Sequence, residues 1–116
     1  MNRLLVLMIL GLCFVTTEAE AQMLKTKLQI TVMNDLGNIV EGATVTLYRT
    51  EEDYDNEENA VQTATTDEKG RVIFKELEPR AYFMLATKGD LTNIGRGVKT
   101  TKLIAKKKNM LNVVIE

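Results

Sequence analysis

Leu28-Gln29-Ile30-Thr31-Val32-Met33 carries an apolar side chain at every second position. In an extended chain Leu28, Ile30 and Val32 share one face and Gln29, Thr31 and Met33 the other, which is the pattern of a strand with one buried side. A helix of the same residues would spread its apolar groups around the circumference and could not bury them together. The same period returns along the chain. Ala43, Val45 and Leu47 alternate with Thr44, Thr46 and Tyr48; Val72 and Phe74 alternate with Arg71, Ile73 and Lys75; Leu111, Val113 and Ile115 repeat it near the end. Tyr82 to Ala86 is a denser apolar run.

Each run is short and bounded by turn chemistry. Asn34-Asp35-Leu36-Gly37-Asn38 separates the first two, with Gly37 able to take positive φ. Thr66-Asp67-Glu68-Lys69-Gly70 separates two more; Asp67 can accept a hydrogen bond from the backbone just ahead, and Gly70 suits the residue before a new strand. Pro79, the only proline, falls between strand candidates, where its missing N–H removes no ladder bond. Strands are expected at 25–33, 43–50, 60–66, 71–76, 81–88, 96–105 and 109–116. Seven short strands in 116 residues imply an all-β domain of two packed sheets. Arg96 to Lys108 also reads as a basic amphipathic helix, because Val98, Leu103 and Ile104 do not alternate; Thr100 and Thr101 favour the strand.

The N-terminus has a different character. Met1-Asn2-Arg3 is a short positive end, Leu4 to Val15 an unbroken apolar run, and Thr16-Thr17-Glu18-Ala19-Glu20-Ala21 a polar stretch ending in small residues. This is the layout of a secretory signal peptide, with Ala19 and Ala21 forming an A-x-A cleavage site. The apolar run is shorter than the roughly 18 residues of a membrane span, so an integral membrane protein is not expected. Cys13, the only cysteine, lies within the run behind Leu10-Gly11-Leu12, where a lipoprotein site would want smaller residues; lipidation is disfavoured. Cleavage after Ala21 would leave a single secreted or periplasmic domain, residues 22–116, without disulfides or thiol chemistry. It would also remove Arg3, Glu18 and Glu20, leaving basic and acidic residues in equal number. A general attraction to nucleic acid or anionic membrane is therefore not expected.

Three segments in order carry a family resemblance. Gly37-Asn38-Ile39-Val40-Glu41-Gly42-Ala43-Thr44-Val45-Thr46-Leu47, then Thr65-Thr66-Asp67-Glu68-Lys69-Gly70-Arg71-Val72-Ile73-Phe74, then Leu77-Glu78-Pro79-Arg80-Ala81-Tyr82 resemble the carboxypeptidase regulatory-like family. The resemblance implies a seven-stranded, Greek-key, transthyretin-like β-sandwich, related to collagen-adhesin B-type repeats. Arg80 stands where that family often has glycine. Those repeats form a Lys–Asn cross-link that needs a lysine at the end of the first strand and a buried glutamate; the matching positions are Met33 and Ala86, so no such bond is expected.

The enzymatic relatives of the transthyretin-like sandwich that the resemblance implies include hydroxyisourate hydrolases, which use histidines, an arginine and a Tyr-Arg-Gly-Ser ending. This chain has no histidine and ends Asn112-Val113-Val114-Ile115-Glu116. Carboxypeptidases carry this module beside a separate zinc domain, and residues 22–116 lack the nitrogen and sulfur ligands zinc prefers. Neither catalysis nor a cofactor is expected. Glu51-Glu52-Asp53-Tyr54-Asp55-Asn56-Glu57-Glu58 is the sharpest shift in composition; it reads as a solvated loop, with calcium as the competing reading, though it lacks the glycine and spaced glutamate of an EF-hand. Arg96, Lys99, Lys102 and Lys106-Lys107-Lys108 make the C-terminal region basic, but no aromatic is interleaved with them for base stacking; a charged hairpin protecting sheet edges is expected. Tyr82 is expected in the core with its hydroxyl bonded at a corner, leaving Tyr54 as the exposed tyrosine. The residues offered to a ligand are Tyr54, Asp53 and Asp55. The expected function is an exported, non-catalytic module that binds a protein partner or cell-envelope component. The alternatives are a carbohydrate-binding module, or an accessory subunit of a hydrolase or transport system, the hydrolase reading resting on Glu76, Glu78 and Asp90 meeting in one cleft.

Overall fold

The computed structural model describes residues 25–116. Cys13, the cleavage residues Ala19 and Ala21 and the rest of the expected signal segment lie outside the described residues. Among the described residues seven strands and a short helix follow one another: β1 (Thr26–Asn34), β2 (Thr44–Tyr48), α1 (Glu51–Asn56), β3 (Gln62–Thr65), β4 (Arg71–Leu77), β5 (Phe83–Lys88), β6 (Leu91–Thr92) and β7 (Lys108–Ile115). One sheet has the order β4-β1-β7, the other β3-β2-β5-β6, and together they make a two-layer sandwich. Neighbours are antiparallel except β1 and β7, which run parallel from Lys27 opposite Lys108 to Asn34 opposite Ile115.

The alternation read from sequence becomes the packing. Leu28, Ile30 and Val32 of β1, Val72 and Phe74 of β4 and Val113 and Ile115 of β7 meet Val45 and Leu47 of β2 and Met84 and Ala86 of β5 in one core. Full burial of each large side chain contributes about 1.5–3 kcal/mol, and this apolar contact holds the sheets together. Among the described residues every buried side-chain nitrogen or oxygen has a hydrogen-bond partner.

The turns form as their residue types require. Asp67 Oδ1 accepts from the Lys69 N–H at 2.9 Å and the Arg71 N–H at 3.1 Å. Gly70, at φ 71°, passes so close to β1 and its following turn that an added Cβ would lie 3.0 Å from Ile39 Cβ and 3.1 Å from the Val32 carbonyl oxygen. Tyr82 is fully buried, and its hydroxyl accepts from the Glu78 N–H at 2.9 Å, fixing the corner between β4 and β5.

Two expectations are corrected. Residues 96–105 form neither a continuous strand nor a helix. Gly95 and Gly97 take φ 82° and 110°, which turns the chain, and only a short stretch then runs beside β5, where the Met84 N–H donates to Val98 O at 2.7 Å and the Thr100 N–H to Tyr82 O at 2.8 Å. The sixth strand is instead Leu91–Thr92. The acidic segment, expected as a loop, contains α1, because Thr50 caps its start and acidic residues suit the first turn.

Candidate functional site

Thr50 starts α1. It is extended (φ −126°, ψ 156°), and its Oγ1 accepts from the Asp53 N–H at 3.1 Å, satisfying one of the free donors at the helix start. Glu51, Glu52 and Asp53 fill the first turn, where the helix dipole favours negative charge. Glu57 stops the helix at φ 51°, a left-handed cap. The signal was in the sequence: threonine followed three residues later by aspartate is a helix-start pattern, and a density of acidic residues does not preclude it.

The helix packs on the outer face of β2 and β5. Its anchor is Tyr54, whose ring lies 5.9 Å from that of Tyr48 in an edge-on arrangement and 6.3 Å from that of Phe83. Tyr54 is thus half-buried in an aromatic cluster and not freely exposed as expected. Tyr48 is buried beside it, and the Lys99 ammonium lies 5.5 Å from the Phe83 ring centroid. Burial raises the pKa of both tyrosines, and the carboxylate of Glu57 adds to this for each, with Asp55 contributing at Tyr54. Both hydroxyls are neutral at physiological pH.

Beside α1 a groove of about 400 Å³ opens between the helix, β5 and β6. Leu85, Ile94 and the Tyr54 ring give it apolar walls, Thr87 adds a hydroxyl, and Asp55 and Glu57 make its rim acidic. Ile94 is 64% exposed. Of the three residues offered to a ligand, the structure brings Tyr54 and Asp55 together here. Asp53 does not line the groove and instead accepts from Asn59 Nδ2 at 3.2 Å.

The carboxylates of the hydrolase reading do not converge. Glu76 pairs with Lys25 at 3.0 Å, Glu78 with Arg49 at 3.5 Å and Arg80 at 3.8 Å, and Asp90 lies at the opposite end of the sandwich, in the turn between β5 and β6. Among the described residues no group of three or more histidine, cysteine, aspartate or glutamate side chains is placed to hold a metal, and no helix is long and apolar enough to cross a membrane. Met33 pairs across the sheet with Val114, and Ala86 is fully buried on β5. The basic residues take separate places: Arg96 makes a two-pronged ion pair with Glu116, while Lys102, Lys107 and Lys108 line a second groove along β7.

Sequence reasoning missed Asn93. It is fully buried; its Oδ1 accepts from the Ala86 N–H at 2.9 Å, and its Nδ2 donates to Met84 O at 2.9 Å and Gly97 O at 3.2 Å. Nothing in the local pattern marked this asparagine, because its role depends on where β6 stops.

No protein-family model matches the chain, and no curated protein does. Solved structures do resemble it. The Streptococcal ancillary pilin superposes with TM-score 0.59 at 16% identity, over 79% of this chain and 32% of that one. The Bacillus anthracis TIE protein gives 0.56 at 20% identity, over 79% and 17%. BcpA, the major pilin subunit of Bacillus cereus, gives 0.52 at 17%, over 78% and 29%. The likeness is one of fold. The chain spans a third or less of each of these proteins.

Proposed function

We propose that this chain is an exported, non-catalytic β-sandwich module of the carboxypeptidase regulatory-like kind, and that it binds a protein partner or envelope component through the groove beside α1. The carrying observation is the pairing in that groove of an apolar wall, the exposed Ile94 with the half-buried Leu85 and Tyr54, and an acidic rim, Asp55 and Glu57. Such a surface suits a polypeptide segment that presents an apolar side chain next to a lysine or arginine. The three segments that carry the family resemblance fall at a strand entry, the Asp67–Gly70 turn and the Tyr82 corner. Domains of similar fold in pilins support a surface setting, and the signal-like N-terminus supports export. A carbohydrate platform has less support, because the Tyr54 ring is engaged with Tyr48 and Phe83.

The test is capture from a native envelope fraction with the full chain and with an Ile94→Asp variant, followed by mass spectrometry. Ile94 is exposed, so the variant should fold. A reproducible partner held by the wild type and lost by the variant is the expected result. A partner retained at equal yield by Ile94→Asp, or glycan binding abolished by Tyr54→Ala with no protein captured, would overturn the reading.

A further inference from the structure

A sandwich of two open sheets has four edge strands, and an unpaired edge invites another strand unless something blocks it. Three are blocked here. β3 has four residues and β6 has two. On β4, Gln62 Nε2 donates to the outward Lys75 carbonyl at 2.7 Å, and the pairing with β1 shifts register between Thr26 and Leu28 opposite Glu76, which sits at φ 58°. The fourth edge, β7, is eight residues long and pairs with β1 without a break.

In a strand, successive residues direct their N–H and C=O groups to opposite sides. Lys107 O accepts from the Lys27 N–H at 3.0 Å, so residues 109, 111, 113 and 115 direct their backbone groups at β1. Residues 108, 110, 112, 114 and 116 direct theirs away. Glu116 confirms the phase, exchanging backbone hydrogen bonds with Thr92 at 3.0 and 3.1 Å. Met110, Asn112 and Val114 have no such partner among the described residues and form an open ladder. Alongside runs a groove of about 420 Å³ whose apolar lining includes Leu103, Ile104 and Leu111, with Ile104 58% and Met110 66% exposed. Lys102, Lys107 and Lys108 also line it, and no carboxylate does.

We infer that the β7 edge accepts an extended segment of another polypeptide as an added strand, and that this segment carries alternating apolar residues with a carboxylate at the end that meets Lys107 and Lys108. Main-chain hydrogen bonds to Met110, Asn112 and Val114 supply the pairing; the apolar groove and the lysines supply the selectivity. This surface is separate from the groove beside α1 and does not depend on it.

The probe is a synthetic heptapeptide alternating valine and threonine with aspartate at both ends, compared with the same peptide ending in lysines, each titrated into the isotopically labelled full chain. The aspartate peptide is expected to slow hydrogen exchange at the Met110, Asn112 and Val114 amides and to bind at least tenfold more tightly than the lysine peptide at low salt, the difference shrinking as salt is added. Asn112→Pro removes an N–H that points away from β1, and Ile104→Asp puts a carboxylate in the groove; each should weaken binding at least tenfold. Four results would overturn the inference: amides at 110, 112 and 114 already protected in the free chain, equal affinity for both peptides, a response confined to the groove beside α1, or a concentration-dependent dimer whose formation protects these amides and excludes the peptide.

Discussion

At Asn93 a side chain does the work of a missing strand. β6 ends after pairing Leu91 and Thr92 with Lys88 and Thr87, which leaves the next stretch of the β5 edge facing the interior. The amide of Asn93 takes over there, accepting from the Ala86 N–H and donating to the Met84 carbonyl. Asparagine suits the place because one planar group offers both a donor and an acceptor, as a backbone peptide does. Asn93→Ala leaves these groups without partners in the interior and should cost about 3 kcal/mol of unfolding free energy, read by chemical denaturation. A change within a few tenths of a kcal/mol would mean that water replaces the amide. Tyr82 belongs to the same scale but was legible from sequence, since a buried phenol needs a partner for its hydroxyl and a corner beside Pro79 provides one.

Among the elements, α1 and the segment after β6 show how local chemistry and tertiary context divide the outcome. Six residues are too few for an isolated helix to persist in water, so α1 depends on its cap and on the contact of Tyr54 with Tyr48 and Phe83. Thr50→Ala should lower stability by about 1 kcal/mol and speed hydrogen exchange within Glu51–Asn56, whereas Thr50→Ser should restore both. Unchanged exchange in the alanine variant would place the helix's support entirely in the aromatic cluster. The strand expected at 96–105 had threonines in its favour, but Gly95 and Gly97 at positive φ break the extended run before it can form.

Over the whole molecule, acid should loosen the fold through two carboxylates whose native pKa is depressed. Asp67 is held below its ordinary value chiefly by the N–H groups of Arg71 and Lys69, and Glu116 by the side chain of Arg96. A carboxylate with a lowered folded-state pKa adds stability above its unfolded value, and that contribution fades as pH falls through the folded value. Denaturation midpoints should therefore hold from neutral pH down to about pH 5 and fall below it. Asp67→Asn should flatten the acid limb, and added salt should weaken the share due to Arg96 and Glu116. A slope unaltered by Asp67→Asn would assign the acid loss to other groups.

By itself the sequence determined the extended runs that became β1, β2, β4 and β7 and their inner faces, because a period of two with apolar residues on one side can be buried in no other regular way. It also determined the Asp67–Gly70 turn and the Tyr82 corner, whose chemistry lies within a few residues of chain. The tertiary structure alone decided that β1 and β7 lie side by side and parallel, that the outer edge of β7 at Met110, Asn112 and Val114 has no backbone partner among the described residues, that Tyr54 and Asp55 share a groove which Asp53 does not line, and that Asn93 completes β5. Each of these depends on contacts between residues far apart in the chain or on where a neighbouring strand stops, and a local pattern of side chains carries no record of either.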